Sequence, residues 1–377
     1  MPSIYFHIPF CKQACHYCDF HFSTSMKYKG EMLEALHQEL SLRRREWDAQ
    51  EISSIYFGGG TPSILDADDI QRLIDGVNKH YEVAKDAEIT LEANPDDLDV
   101  KKVQALRNTS INRFSIGIQS FFEEDLRWMN RAHNANEADA SIKRVQDAGF
   151  ENITADLIYG YPLLSDAKWK HNIDQLSGYG IPHISAYSMT VEPQTALDHF
   201  IRKGKSPAMN ESQSAEQFEI LIEKLTDIGF EHYEISNFAK PGRYARHNSS
   251  YWKGDSYMGI GPSAHSFYGN TRSWNIANNA QYIRGIVDGS PALETEYLTL
   301  HNKVNEYIMT SLRTMWGLDI ERIKTEFGEE VYTNIVENME RFIASGEVLG
   351  TGGRYCLTAK GKLVADHIAS ELFLIEE

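Results

Sequence analysis

The sequence is short of cysteine, of positive charge and of long apolar runs, and each shortage removes a class of function. Its 377 residues contain 4 cysteines, and three of these fall together as Cys11, Cys15 and Cys18. A disulfide framework needs partners spread along a chain in an oxidising compartment, so this clustering points instead to metal or redox chemistry. The fourth, Cys356, stands far away and reads as a small structural hydrophobe. Lys and Arg total 37 against 54 Asp and Glu, a net charge of −17, which argues against nucleic acid as the main partner. No apolar run approaches the roughly 20 residues that a membrane helix requires. The opening MPSIYFHIPFC lacks the basic segment and apolar stretch of a secretory leader. A cytoplasmic protein without an integral membrane segment is therefore expected. Repeats and low-complexity tracts are missing too. What is present is ordinary globular composition, 42% hydrophobic and 24% charged, on a chain long enough for one large domain and a smaller appended one.

Short β-rich runs at Ser3–Ile8, Ser54–Phe57, Glu88–Glu92, Arg113–Ile118, Ile153–Ile158 and His183–Ser188 alternate with helix-like segments. Those segments are Tyr28–Trp47, Asp68–Tyr81, Val100–Arg107, Glu137–Ala148 and Lys168–Leu176. This alternation predicts an α/β fold whose parallel sheet is built from βαβ units, either an open doubly wound sheet or a partial barrel. In both, chemistry belongs at the C-terminal strand ends. Unusual residues gather there: the cysteine loop, Gly58-Gly59-Gly60-Thr61-Pro62, Glu92-Ala93-Asn94-Pro95, Gln119-Ser120, and Asp156 followed by Gly160-Tyr161-Pro162. His232–Phe238 reads as one more strand. Arg243–Asn275, rich in Gly, Ser, Asn, Tyr and Trp, shows no clear period and reads as a long loop, functional or mobile. Helices are expected at His301–Met315, Ile320–Phe327 and Val331–Ser345. Gly346–Phe373 reads as a hairpin about Gly350–Gly353 and a final helix. The expected divisions are 1–240, a connecting segment 241–295, and a small winged-helix-like α+β domain at 296–377. Similar small domains often bind DNA, but in so acidic a chain this one reads as a cover or docking domain.

The spacing Cys11-x3-Cys15-x2-Cys18 directly follows a strand. Thiolates select zinc, copper(I) or iron–sulfur clusters. A structural zinc site would need a fourth ligand, for which His7, His16 and His21 are the candidates. Three thiolates on a 4Fe-4S cluster instead leave one iron open to a molecule bearing an amine and a carboxylate.

Cys-x3-Cys-x2-Cys resembles the signature of the radical S-adenosylmethionine (SAM) superfamily. The segments Tyr5-Phe6-His7-Ile8-Pro9-Phe10-Cys11 and Tyr17-Cys18-Asp19-Phe20 resemble one branch of it. That branch holds oxygen-independent coproporphyrinogen III dehydrogenase and the haem chaperones of the HemW type. The resemblance covers essentially the whole chain and implies a partial (β/α)6 barrel with a C-terminal domain. It also implies a 4Fe-4S cluster on Cys11, Cys15 and Cys18, with SAM beside it. Tyr5 would lie by the sulfonium and Tyr17 by the adenine. The turn containing Gly59, Gly60 and Thr61 would meet the amino-acid end, its N–H groups facing a carboxylate. Glu92, Gln119, Arg131 and Asp156 match further cofactor-contacting positions. Alone, Arg131 reads as a solvated helix residue and Asp156 as a strand-end cap.

Three features separate the relatives. The dehydrogenase motif extends to a further cysteine where this chain has Phe20, and the dehydrogenase has a substantial segment before the YxHIPFC motif, where this chain has only four residues. Arg246-His247-Asn248-Ser249-Ser250-Tyr251-Trp252 contains HNxxYW, which resembles the motif associated with haem in the chaperones. His247 could ligate iron while Tyr251 and Trp252 offer flat apolar surface. His247 could equally be a hydrogen-bonded residue of a packed loop, with ligation falling to Tyr251, His265 of Gly259-Ile260-Gly261-Pro262-Ser263-Ala264-His265, or a partner's residue. The expectation is a chaperone that carries haem to an acceptor haem protein such as a respiratory enzyme, served by an electron donor. The alternative is oxidative decarboxylation of coproporphyrinogen III. A nucleic-acid modifier, suggested by the winged-helix-like tail, is the weakest of the three.

Overall fold

The computed structural model describes residues 2–46 and 51–375, so Trp47, the expected end of the first helix, lies outside the described residues. Six parallel strands form the centre: β1 (Ser3–Ile8), β2 (Ile52–Gly59), β3 (Val83–Ala93), β4 (Arg113–Gln119), β5 (Ile153–Tyr159) and β6 (His183–Ser188). They are hydrogen-bonded in chain order. A right-handed crossover repeated in one direction returns every helix to the same face. Such a singly wound sheet curls into a partial barrel, which settles the choice that periodicity left open. The helices Lys29–Arg43, Ala67–His80, Val100–Arg107, Ala135–Asp147 and Asp166–Gly178 follow the expected segments within a few residues.

Strand alternation divides the side chains by chemistry. Ile4, Phe6, Ile55, Phe57, Ile89, Leu91, Phe114, Ile116, Leu157 and Ile184 share one buried core with helix residues such as Leu36, Ile70 and Val103. The alternate positions are polar: Tyr5 and His7, Ser54 and Tyr56, Glu88 and Glu92, Arg113 and Ser115, Thr154 and Asp156, His183 and Ser185. The inner face of the barrel is therefore a hydrogen-bonding surface rather than an apolar core.

The expected strand His232–Phe238 is instead a hairpin of β7 (Glu231–Glu234) and β8 (Asn237–Ala239), with β8 antiparallel to β6. Glu234 forces the turn, its carboxylate accepting from the Ser236 amide at 3.1 Å and the Asn237 side chain at 2.5 Å. Nor is Arg243–Asn275 an irregular loop. It contains a helix (Arg246–Lys253) and the strands β9 (Tyr257–Ile260), β10 (His265–Tyr268) and β11 (Thr271–Asn275), and β12 (Leu293–Tyr297) follows. β9 pairs parallel with β1, extending the sheet to twelve strands with β12 and β7 as its borders. Strands this short, the first of them paired to residues some 250 positions away, leave no readable period.

A second core gathers Val304, Ile308, Leu312, Ile323, Ile335, Met339 and Ile368. Helix Leu300–Leu312, β13 (Leu318–Asp319), helices Ile320–Phe327 and Glu329–Ala344, and the hairpin β14 (Val348–Thr351) and β15 (Arg354–Leu357) give the winged-helix-like order. The hairpin turns at Gly352 and Gly353, whose φ values of +59° and +78° favour glycine. The expected final helix is split into Ala359–Lys362 and Ala365–Glu371. This unit meets the β7 border through a bridge between Glu234 and Thr314, an Arg313–Glu234 ion pair at 3.3 Å, and the Met315 amide donating to the Tyr233 carbonyl at 2.9 Å.

Candidate functional site

A cavity of about 440 Å³ opens at the C-terminal ends of the central strands, and Cys11, Cys15 and Cys18 all line it. Their loop is shaped by local bonds. The Cys11 amide donates to the Ser23 carbonyl at 3.0 Å and the Ser23 amide to Pro9 at 2.9 Å, closing the loop at its base. Its far side is braced by the segment before Arg131. There Gln13 donates to the Asn130 side chain at 2.7 Å, Asn130 donates to the Ala14 carbonyl at 2.7 Å, and the His16 amide donates to the Met129 carbonyl at 3.0 Å.

The same bracing delivers Arg131 into the cavity wall as a hub rather than a solvated helix residue. Its guanidinium donates to the Cys15 sulfur at 3.4 Å, the Tyr17 hydroxyl at 3.3 Å, the Asn94 side-chain oxygen at 2.6 Å and the Gly117 carbonyl at 3.1 Å. Asn94 in turn donates to Thr61 at 3.4 Å, and Thr61 donates to the Cys11 sulfur at 3.5 Å. A continuous chain, Cys15–Arg131–Asn94–Thr61–Cys11, thus links two thiols through the ends of β2 and β3. Asn94 was not among the candidate residues, although its place beside Glu92 and before Pro95 was visible.

Glu92 and Asp156 face the same cavity. Burial pushes the Glu92 carboxyl up to about 7, against hydrogen bonds from the Tyr56 hydroxyl (2.7 Å) and the Gly59 amide. Burial also raises Asp156 to about 6, opposed by hydrogen bonds from Ser185 and Ser115 and by Arg113. Tyr17, Gly59, Gly60, Thr61, Gln119 and Arg131 also line the cavity. Tyr5 lies one layer below, its ring against that of Tyr56 at 6.1 Å. The glycine turn is needed for close approach: a Cβ on Gly60 would meet the Phe10 carbonyl at 2.6 Å, and Gly59 has φ +100°. Its amides are not free for a carboxylate, however. Gly60 donates to Ile8 at 2.9 Å, Thr61 donates to Phe10 at 2.7 Å, and Gly59 donates to Glu92.

The donor set suits a cluster better than a single ion. Among the described residues no group of three or more His, Cys, Asp or Glu is close enough to hold one metal. The histidines considered for zinc are engaged elsewhere: His7 with the His21 carbonyl at 2.8 Å, His16 with the Trp128 carbonyl at 2.8 Å, and His21 with Asn279 at 2.7 Å. Thr61 and Arg131 direct donors at sulfur, as they would toward ligating thiolates. Burial raises the Cys11 thiol and lifts Cys18 to about 12, so ligation would release protons. Room for a polar cofactor is marked by buried atoms without partners, Gln119 Oε1 and Arg131 Nε, and Gln119 holds a left-handed φ of +64°.

The HNxxYW residues lie elsewhere, on the helix Arg246–Lys253 at the opposite end of the barrel. Glu88, on β3, accepts from the Arg246 amide at 3.1 Å and the His247 amide at 3.0 Å, holding the helix N-terminus against the sheet. His247 is buried, with Nδ1 bonded to the Ser54 hydroxyl at 2.9 Å and Nε2 to the Tyr251 hydroxyl at 3.1 Å. Its ring stacks on Tyr56 at 4.8 Å, and burial, then Arg113, pull it down to about 3. Asn248 and Tyr251 are half-buried, and Trp252 carries the Arg313 guanidinium over its ring at 5.3 Å. His265 is exposed on β10, stacked against Trp274 at 5.7 Å. Cys356 lies on β15, its thiol directed at the Met315 carbonyl at 3.6 Å.

Residues 5–176 match the Radical SAM superfamily and residues 298–364 match the HemN C-terminal domain. The chain is 33% identical over 371 residues to the heme chaperone HemW of Bacillus subtilis (strain 168), covering 98% of each. It is 32% identical over 388 residues to the heme chaperone HemW of Escherichia coli (strain K12), covering 99% of this chain and 98% of that one. Among solved structures, coproporphyrinogen III oxidase (HemN) from Escherichia coli, a radical SAM enzyme, superposes with a TM-score of 0.85 at 23% identity. The match covers 99% of this chain and 90% of that one, and at this identity it speaks for the fold.

Proposed function

The chain belongs to the HemW family of the radical SAM superfamily, and from that premise we propose that it binds haem and delivers it to an acceptor haem protein such as a respiratory enzyme. The reading places a 4Fe-4S cluster on Cys11, Cys15 and Cys18 and SAM across Glu92, Gln119, Arg131 and Asp156. What carries it is the single cavity that three thiols share with these four side chains. When bound, cluster and cofactor supply one-electron chemistry at the sulfonium, reduced by an electron donor. The chain's own residues position and insulate. Arg131 orients Tyr17 and the Cys15 thiol together. Glu92, near neutrality in its pKa, can take up or release a proton as an ammonium approaches. Phe20, 66% exposed at the cavity rim, stands where the dehydrogenase pattern has a further cysteine, which favours haem delivery over porphyrinogen turnover.

For haem, His247 is the proposed iron ligand, with Asn248, Tyr251 and Trp252 beside it. It must exchange its bonds to Ser54 and Tyr251 for iron, so the helix Arg246–Lys253 has to shift for loading. The test is anaerobic reconstitution with iron and sulfide, then haem titration by absorption spectroscopy for the wild type and His247→Ala. A saturable band that weakens in the variant, without protoporphyrinogen IX formed from coproporphyrinogen III, supports the chaperone. An intact cluster without haem binding above a non-specific control would overturn it.

A further inference from the structure

A second cleft, of about 450 Å³, lies at the base of the barrel, where the chain leaving β8 crosses toward the HNxxYW helix. Three of its lining residues are arginines, Arg107, Arg243 and Arg246, in a protein whose net charge is −17. Arg246 is paired with Asp86 at 3.0 Å. Among the described residues, Arg107 and Arg243 have no carboxylate partner. Arg107 is held with its guanidinium over the Phe150 ring at 5.2 Å, an arrangement that orients the fork without using its hydrogen-bond donors. Of the two carboxylates in the lining, Glu88 is committed to the helix amides at 3.1 and 3.0 Å, and Glu151 is exposed. The cleft therefore offers two unspent guanidiniums to an anion.

Its flank is aromatic. Tyr244 lines the cleft, and its ring meets Trp316 at 6.0 Å and Tyr233 at 5.0 Å. Planar donors beside flat apolar rings suit a ligand that joins carboxylates to an extended π-system. Arg246 is also the first residue of the helix that carries His247.

We propose that this cleft is the docking site for the propionate edge of the haem cargo, with Arg107 and Arg243 as its charge partners and Tyr244 against the macrocycle. The inference rests on the haem-carrier reading and adds where the cargo is seated: at the end of the barrel opposite the cysteine loop. Each propionate exchanges water for a charge-assisted fork, and the Tyr244 ring meets the porphyrin face.

The experiment compares hemin with hemin dimethyl ester, in which both propionates are blocked, on the reconstituted wild type and on Arg107→Gln/Arg243→Gln. The wild type is expected to bind hemin about tenfold or more tighter than the ester, and the double variant to lose that preference while its affinity for the ester stays unchanged. Cluster absorbance should not move, since the cysteine loop is at the other end. A double variant that still prefers hemin as strongly as the wild type overturns the site and leaves the haem reading standing. A wild type that binds neither porphyrin overturns the haem reading, and the site falls with it. Should the double variant misfold, the wild type decides alone: equal affinity for hemin and its ester overturns the proposal.

Discussion

At the scale of single residues, the weight of the cavity falls on Asn94, which joins Arg131 to Thr61 and through them Cys15 to Cys11. We predict that Asn94→Ala costs SAM affinity about 1–3 kcal/mol, because an inward-facing guanidinium loses its 2.6 Å acceptor. Titration of the reconstituted protein with SAM checks this, and an unchanged affinity would dismiss the chain as incidental packing. The cysteines were legible because three thiols within eight residues make a local pattern. Asn94 was not, because its importance comes from Arg131, which reaches it from 37 positions away. The bonded amides of the glycine turn were hidden for the same reason, since their acceptors, Ile8 and Phe10, lie at the end of β1 and just beyond it. Glu92 gives a prediction about pH. Burial lifts it from 4.5 to about 7, so between those values the folded chain holds a proton that the unfolded chain has released. Stability of the cofactor-free protein should therefore fall as pH rises through that window and level off above it. Glu92→Gln should flatten this part of the profile. Thermal melts across the window test it, and an identical slope in the variant would show that the proton is held elsewhere.

At the scale of elements, the helix Arg246–Lys253 is the one most dependent on its surroundings. His, Asn, two Ser, Tyr and Trp are all weak helix formers, and its N-cap makes no side-chain bond, so nothing local announces it. It exists because Glu88 takes its first two amides and because His247 packs on Tyr56. Glu88→Gln keeps the shape but removes the charge from the helix N-terminus and from the buried Arg113 guanidinium 3.7 Å away, which should cost about 1–3 kcal/mol and speed amide exchange over residues 246–253. Hydrogen–deuterium exchange would read this directly, and unchanged protection there would show that packing alone holds the helix. The six central strands were legible for the opposite reason. Each alternates apolar and polar side chains over enough residues to show a period, and each ends in a conspicuous turn. β9 and β10 span only four residues apiece. Their pairing, rather than their composition, makes them strands.

At the scale of the whole molecule, the larger core runs in chain order as far as Ile286 and the smaller one begins at Val304. What could not be read is that the intervening segment completes the main sheet, because the partners of its strands are β1 and each other. The order of that sheet carries one more consequence. A ribbon of twelve strands that does not close has two open margins, and one of them, β7, is occupied by the C-terminal unit through Glu234 and Thr314. The other, β12, reads Leu-Glu-Thr-Glu-Tyr, with Tyr297 78% exposed beside Glu294 and Glu296. Two like charges along a bare margin repel the same margin of a neighbouring copy. The wild type should accordingly run as a monomer in sedimentation, whereas Glu294→Val/Glu296→Val should pair margin to margin. A variant that stayed monomeric at high concentration would mean that something other than charge guards this side.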